Sequence, residues 1–297
     1  MSRRTTLLGM LALVAALATP AAARTKDTEP LPQRDARLIA AAVEALPTQR
    51  PGTIDLYAIG FAGDGSQDTF RNEVAYFPQL MRQRLQARGV ITLINHLDSV
   101  QPAPHPLATY ENLQQALSGI AKRMDPDEDI LLLYLTMHGT PEHELAVYFP
   151  PFVEDALIPE DLRTLLDEAR IRHRVLVISA CYSGGFIRDL RDPDTLLITA
   201  ARADRASFGC DSESNVTWFG RAWLVEGLNQ EADLLQAYEY ATRRVQAWEQ
   251  AERVESSFPQ MSAGTRIGQR LKQWRAQSPP GAPVAYPYPI EHLDAKP

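Results

Sequence analysis

Asp129-Ile-Leu-Leu-Leu-Tyr-Leu-Thr-Met-His138-Gly139-Thr140 and, later, Arg174-Val-Leu-Val-Ile-Ser-Ala180-Cys181-Tyr182-Ser183-Gly184-Gly185 decide how this chain folds. Each is an unbroken apolar run that stops at one reactive side chain, with glycine close behind. Runs without polar alternation suit strands covered on both faces, the usual state of strands in a parallel sheet. In open α/β sheets, ligands gather beyond the carboxyl ends of the strands. Two neighbouring parallel strands would therefore bring His138 and Cys181 to one edge, where an imidazole can serve a thiol nucleophile.

Working outward, strand-like and helix-like segments alternate. Residues 53–62 read as a strand running into the turn Gly63-Asp64-Gly65, and 73–87 has helical composition. A short strand follows at 90–95, then a helix at 110–124 with Leu113, Leu117 and Ile120 on one face. Beyond the His138 strand come a short strand at 144–149 and a helix at 159–170 that opens with Pro159 and two acids. After the Cys181 strand, 195–200 reads as another strand, and 218–228 and 232–252 as helices. This order predicts an α/β domain over 53–257, with a mainly parallel central sheet and helices on both faces. Residues 24–52 form an N-terminal segment with one helix, at 35–46. Residues 258–297 are polar and rich in proline, and predict an extended or mobile tail.

The first 23 residues have the pattern of a secretory signal peptide. Arg3 and Arg4 give a basic start, Leu7 to Ala18 an apolar stretch, and Ala21-Ala22-Ala23 small residues for cleavage. The apolar stretch is shorter than the roughly 20 residues a membrane span needs. The expectation is an exported, soluble protein, periplasmic or extracellular, with no stable membrane insertion. The net charge is −7, with no basic stripe interleaved with aromatics, so nucleic acid is an unsuitable partner. Oligomeric state is not legible.

A cysteine hydrolase needs a thiolate, a proton shuttle and N–H donors for the developing oxyanion. Cys181 supplies the sulfur and His138 the imidazole, and the backbone N–H groups of Gly139 and Cys181 are the candidate oxyanion donors. Gly184-Gly185 would allow close approach of substrate, and a helix beginning at Phe186 would add its positive end. The alternative for Cys181 is a structural disulfide with Cys210, the other of the two cysteines. His143 follows His138 by five positions, but no third ligand has matching spacing; no metal and no cofactor are expected. Asp64 and Asp68 lack the rest of a calcium loop.

The histidine-glycine block after one apolar strand and Ser179-Ala180-Cys181-Tyr182-Ser183-Gly184 after another resemble the legumain family of cysteine peptidases. That family groups with caspases, gingipains and the catalytic subunit of the GPI transamidase. Similarity extends from Ile54 to Leu228, including Ile198 to Cys210 and Trp218 to Trp223. The resemblance implies a caspase-like three-layer sandwich and a His138–Cys181 dyad that cleaves peptide bonds through a thioester. It implies Gly139 in the oxyanion hole and a substrate pocket drawn from Phe70-Arg71-Asn72, from near Ser207 and from just before Trp223. Three positions depart from the family pattern: Ala62 replaces a frequent asparagine, and Tyr182 and Arg221 replace acids. With Arg71, Arg221 predicts a positive pocket and a preference for an acidic residue before the cleaved bond. Expected partners are peptides or proteins. A transpeptidase on the same scaffold and an inactive peptide-binding homologue are the competing functions.

Overall fold

A computed structural model describes residues 29–101, 105–211 and 213–290; the expected signal peptide lies outside them. The two apolar runs become adjacent parallel strands. β1 (Leu56–Ala62), β2 (Gly89–Ile94), β3 (Ile130–Thr136), β6 (His173–Ser179) and β7 (Thr195–Thr199) are all parallel, in the order β2-β1-β3-β6-β7. Every residue of β1, β3 and β7 is buried, as the continuous apolar runs required. The hairpin β4 (Leu145–Phe149) and β5 (Val153–Leu157) stands apart as a small antiparallel sheet.

Helices cover both faces, making a three-layer α/β sandwich of caspase-like order. One face carries α1 (Leu31–Ala45), α3 (Tyr110–Ala121), α4 (Pro159–Ala169) and the single turn α5 (Ile187–Leu190). Their apolar sides meet Tyr57, Ile59, Leu131, Leu133, Leu176 and Ile178. The other face carries α2 (Asp68–Gln83) and a π-helical stretch, Gly220–Gly227, that continues through α6 (Leu228–Gln230). It is completed by α7 (Leu234–Glu252) and α8 (Ile267–Gln277) over Ala58, Leu132, Val175, Val177 and Ile198. Strand residues alternate between these two clusters, which is the period of two expected of a pleated strand.

The C-terminal part departs from the expectation of an extended or mobile tail. β8 (Gln260–Ala263) pairs antiparallel with β7 and closes that edge of the sheet. α8 packs Ile267, Leu271 and Trp274 into the core. Residues 279–290 have no regular structure, yet they are fastened. The Arg84 guanidinium donates to Gly281 O at 2.7 Å, and the Tyr76 hydroxyl to Val284 O at 2.8 Å. Val284 is itself part of the core. Polar composition concealed these elements because an edge strand and one face of a helix meet water.

Candidate active site

Thr136 on β3 stands opposite Ser179 on β6, and each strand continues two residues to its reactive group. His138 and Cys181 thus leave one carboxyl edge from neighbouring strands about 4.8 Å apart. The His138 ring meets Phe70 edge to face, centroids 5.1 Å apart, so the first turn of α2 sets its orientation. The sulfur of Cys181 accepts the Ser207 N–H at 3.2 Å, with the Ser207 hydroxyl and carbonyl each at 3.6 Å.

Two further groups, Cys210 and His138, act on the Cys181 thiol. A hydrogen bond from the Cys210 thiol lowers its pKa most, burial opposes that, and the Ser207 donors and the charge of His138 lower it further. The net direction is well below an ordinary thiol, the direction a nucleophile requires. Cys210 moves the opposite way, because it donates to Cys181 and is buried. Both cysteines are free.

Gly139 lies against the nucleophile's backbone: a Cβ on it would stand 2.3 Å from Cys181 O. Among the described residues neither Gly139 N–H nor Cys181 N–H has an acceptor, although flanking groups pair (Ala146 N–H to His138 O, Thr140 N–H to Glu144 O). The turn after the nucleophile is tight. Tyr182 takes a left-handed backbone, φ 56°, and its N–H donates to Arg205 O at 2.8 Å. Gly184 and Gly185 are each hemmed in on the side that a side chain would take. A Cβ on Gly184 would meet Ala203 N at 2.6 Å, and one on Gly185 the His143 ring at 2.2 Å. The expected helix from Phe186 is only the one turn of α5, preceded by a 3₁₀ turn over Ser183–Phe186.

The two arginines expected in the pocket are both matched within the fold. Arg221 is 6% exposed, holds Glu226 at 2.7 Å and lies over the Trp248 ring at 4.5 Å. Its place is the core between the π-helical stretch and α7, which corrects the assignment to substrate binding. Arg71 pairs with Asp68 at 3.3 Å and Asp98 at 3.4 Å, and stands 5.7 Å from the Tyr288 ring. Arg221 is thereby removed from the predicted positive pocket, while the Arg71 side chain stays 22% exposed on α2. Ser207 lies against the sulfur itself, and Tyr182 sits in the adjoining turn.

The sequence reading missed Glu73. Fully buried on α2, it accepts the Tyr134 hydroxyl and the Thr136 hydroxyl, each at 2.7 Å, and the Thr217 N–H at 2.8 Å. The Thr217 hydroxyl in turn shares a hydrogen bond of 3.1 Å with that of Ser179. This cluster joins β3 and β6 one step beneath the two reactive residues. Burial pushes the Glu73 carboxyl up, partly offset by these donors. A signal was present: Glu73 lies on the same helical face as Phe70 and Phe77, where an acid is out of place unless bonded.

A three-layer sandwich of this strand order, with a cysteine of lowered pKa at the carboxyl edge of its sheet, is the architecture of caspase-like cysteine peptidases. The model described as the Peptidase C13 family matches residues 112–269, more than half of the chain, and the chain belongs to that family, the legumain family. It is thus a cysteine-type peptidase, a hydrolase acting on peptide or protein substrates. The match runs through β8 into α8, so the family's domain takes in elements beyond residue 257. No curated protein matches the chain.

Proposed function

We propose that this protein is an exported endopeptidase in which Cys181 is the nucleophile and His138 its acid-base partner. The observation that carries the dyad is the register of β3 and β6, which sends both side chains from one sheet edge. The Cys181 thiolate attacks the scissile carbonyl carbon, and the negative charge moves to the carbonyl oxygen. The unpaired N–H groups of Gly139 and Cys181 are the donors suited to that oxyanion. His138 gives its proton to the leaving amine as the C–N bond breaks, leaving a thioester on Cys181. It then takes a proton from water, which attacks the thioester and frees the acid product and the thiolate.

Export rests on the basic start, apolar stretch and small residues of the first 23 positions. Among the described residues no helix is long and apolar enough to cross a membrane. N-terminal sequencing of the secreted protein should begin near Arg24.

Cleavage of a peptide mixture, mapped by mass spectrometry, tests the activity. Products are expected from the wild type and not from Cys181→Ala; cleavage persisting in that variant would rule out the assigned nucleophile. An amine such as hydroxylamine separates hydrolysis from acyl transfer, because it yields a hydroxamate only if it competes with water for the thioester.

A further inference from the structure

The loop that begins at His138 and the turn that begins at Cys181 run side by side and close one wall of a cavity. Gly139 stands against the Cys181 carbonyl, and further along the same two segments the His143 ring stands against Gly185, where a Cβ would meet it at 2.2 Å. The imidazole is held there at a cost. His143 has a left-handed backbone, φ 65°, and its Nδ1 is buried without a hydrogen-bond partner. The cavity beside it measures about 490 Å³, the size of a small-ligand pocket. Gly184, Gly185, Ile158 and Pro159 give it apolar walls, the last two from the start of α4. Glu142 and Glu160 add two exposed carboxylates, and among the described residues neither has an ion-pair partner. Glu160 also suits the first turn of α4, but Glu142 lies on the loop and has no helix to serve. Arg188 and Asp189, also in the lining, pair with each other at 3.3 Å and cancel. The unmatched carboxylates therefore leave the cavity negative.

We propose that this cavity receives the segment of substrate that follows the cleaved bond, and that it takes a lysine or arginine side chain there. His138, which protonates the leaving amine in the proposed mechanism, stands at the head of the loop that walls the cavity. The chain beyond the cleaved bond is thus led along that loop toward His143. A long basic side chain suits both kinds of wall. Its methylene stem lies along Ile158, Pro159 and Gly185, while its cation stays near water between Glu142 and Glu160. An acidic side chain in the same place would meet like charge and have no cation to pair with, since Arg188 is engaged by Asp189.

This inference deepens the peptidase reading and rests on it, so the test reads binding as well as turnover. A set of peptides differs only in carrying arginine, alanine or glutamate at one of the positions after the cleaved bond. In the wild type, kcat/KM should be about 5-fold or more higher for arginine than for alanine at one such position, and lowest for glutamate. In the double variant Glu142→Gln, Glu160→Gln the arginine-to-alanine ratio should fall toward one. The binding arm needs no turnover: fluorescence anisotropy with Cys181→Ala compares labelled peptides that begin at the residue after the cleaved bond. Their Kd values should show the same preference for arginine, and the same loss of it once both glutamates are replaced. A ratio of one before any glutamate is replaced would overturn the subsite. So would a ratio that survives the double substitution, or an arginine preference confined to positions before the cleaved bond. A wild type that cleaves none of the peptides would count against the peptidase assignment, and the Kd ratio would then decide the subsite by itself.

Discussion

In the proposed mechanism the reactivity of Cys181 comes from donors around its sulfur, and these can be removed singly. Its thiol is held below the ordinary value near ~8.5, chiefly by the Cys210 hydrogen bond, with the Ser207 donors and the His138 charge adding to it. The rate of alkylation by iodoacetamide should therefore rise with pH at a midpoint below that of a free thiol. Cys210→Ala and His138→Ala should each move the midpoint upward; an unmoved midpoint in both would refute these contacts as its cause. Gly139 is tested by size, since the Cβ of Gly139→Ala would stand 2.3 Å from the Cys181 carbonyl oxygen. Displacing an oxyanion donor lowers kcat by about 10²–10³-fold, so kcat should fall on that scale while the folded circular dichroism spectrum is kept. A variant with full kcat would remove Gly139 from the site. At this scale the sequence pointed to the sheet edge that carries both His138 and Cys181, but not to the surroundings of Arg221. Arg71 and Arg221 each have an acid nearby in sequence, Asp68 and Glu226, but Asp98 and Trp248, which complete their surroundings, lie far along the chain.

Between elements, Glu73 is the joint that holds α2, β3 and the Thr217 segment together. Tyr134, which donates to it, is stacked between Phe77 at 5.7 Å and Trp223 at 6.0 Å, so the carboxylate is sealed from water. Glu73→Ala strands three donors, and each buried polar group left unpaired costs about 1–3 kcal/mol. Urea unfolding should show a loss of about 3 kcal/mol or more, whereas Glu73→Gln keeps acceptors in place and should lose much less. Equal losses in the two variants would show that the hydrogen bonds are not what Glu73 contributes. The elements legible in the sequence are those whose burial is uniform. β1 and β3 meet apolar neighbours on both sides and read as unbroken runs. β5 and β8 were missed because Val153–Leu157 and Gln260–Ala263 are half-exposed and mixed in polarity. α2 starts at Asp68, ahead of the expected residue 73, and ends at Gln83, short of Arg88-Gly89, with Gln86 left-handed beyond it.

For the whole molecule, the C-terminal residues belong to the domain and carry part of its stability. Asp194 anchors them through Arg266, whose Nε donates at 2.8 Å. Arg266 first, and then Arg172, hold the Asp194 carboxyl at about 2, against burial that would raise it. A depressed pKa in the folded state stabilises the protein above the unfolded value of ~3.9, and that contribution is lost as pH falls toward 2. Arg266 is more than half exposed, which limits the contribution to about 1 kcal/mol. Asp194→Asn should remove it at pH 7 and flatten the acid limb of the stability curve; a parallel curve would sink the assignment. Ending the chain at Ser278 would also delete the contacts of Tyr76 with Val284, Arg84 with Gly281, and the Tyr286 hydroxyl with Asn215 O at 2.8 Å. The truncated protein should melt about 5–10 °C lower. An unchanged Tm would restore the tail to the mobile segment its composition predicted.

The central claim is that His138 activates Cys181 at the shared edge of β3 and β6. The most direct test is labelling by a peptide-like electrophile such as a peptidyl acyloxymethyl ketone, read by intact mass and by the modified peptide. One adduct per wild-type chain, on Cys181, is predicted, with labelling slowed about 10²-fold or more in His138→Ala. Equal labelling in that variant, or an adduct on Cys210 instead, would contradict it.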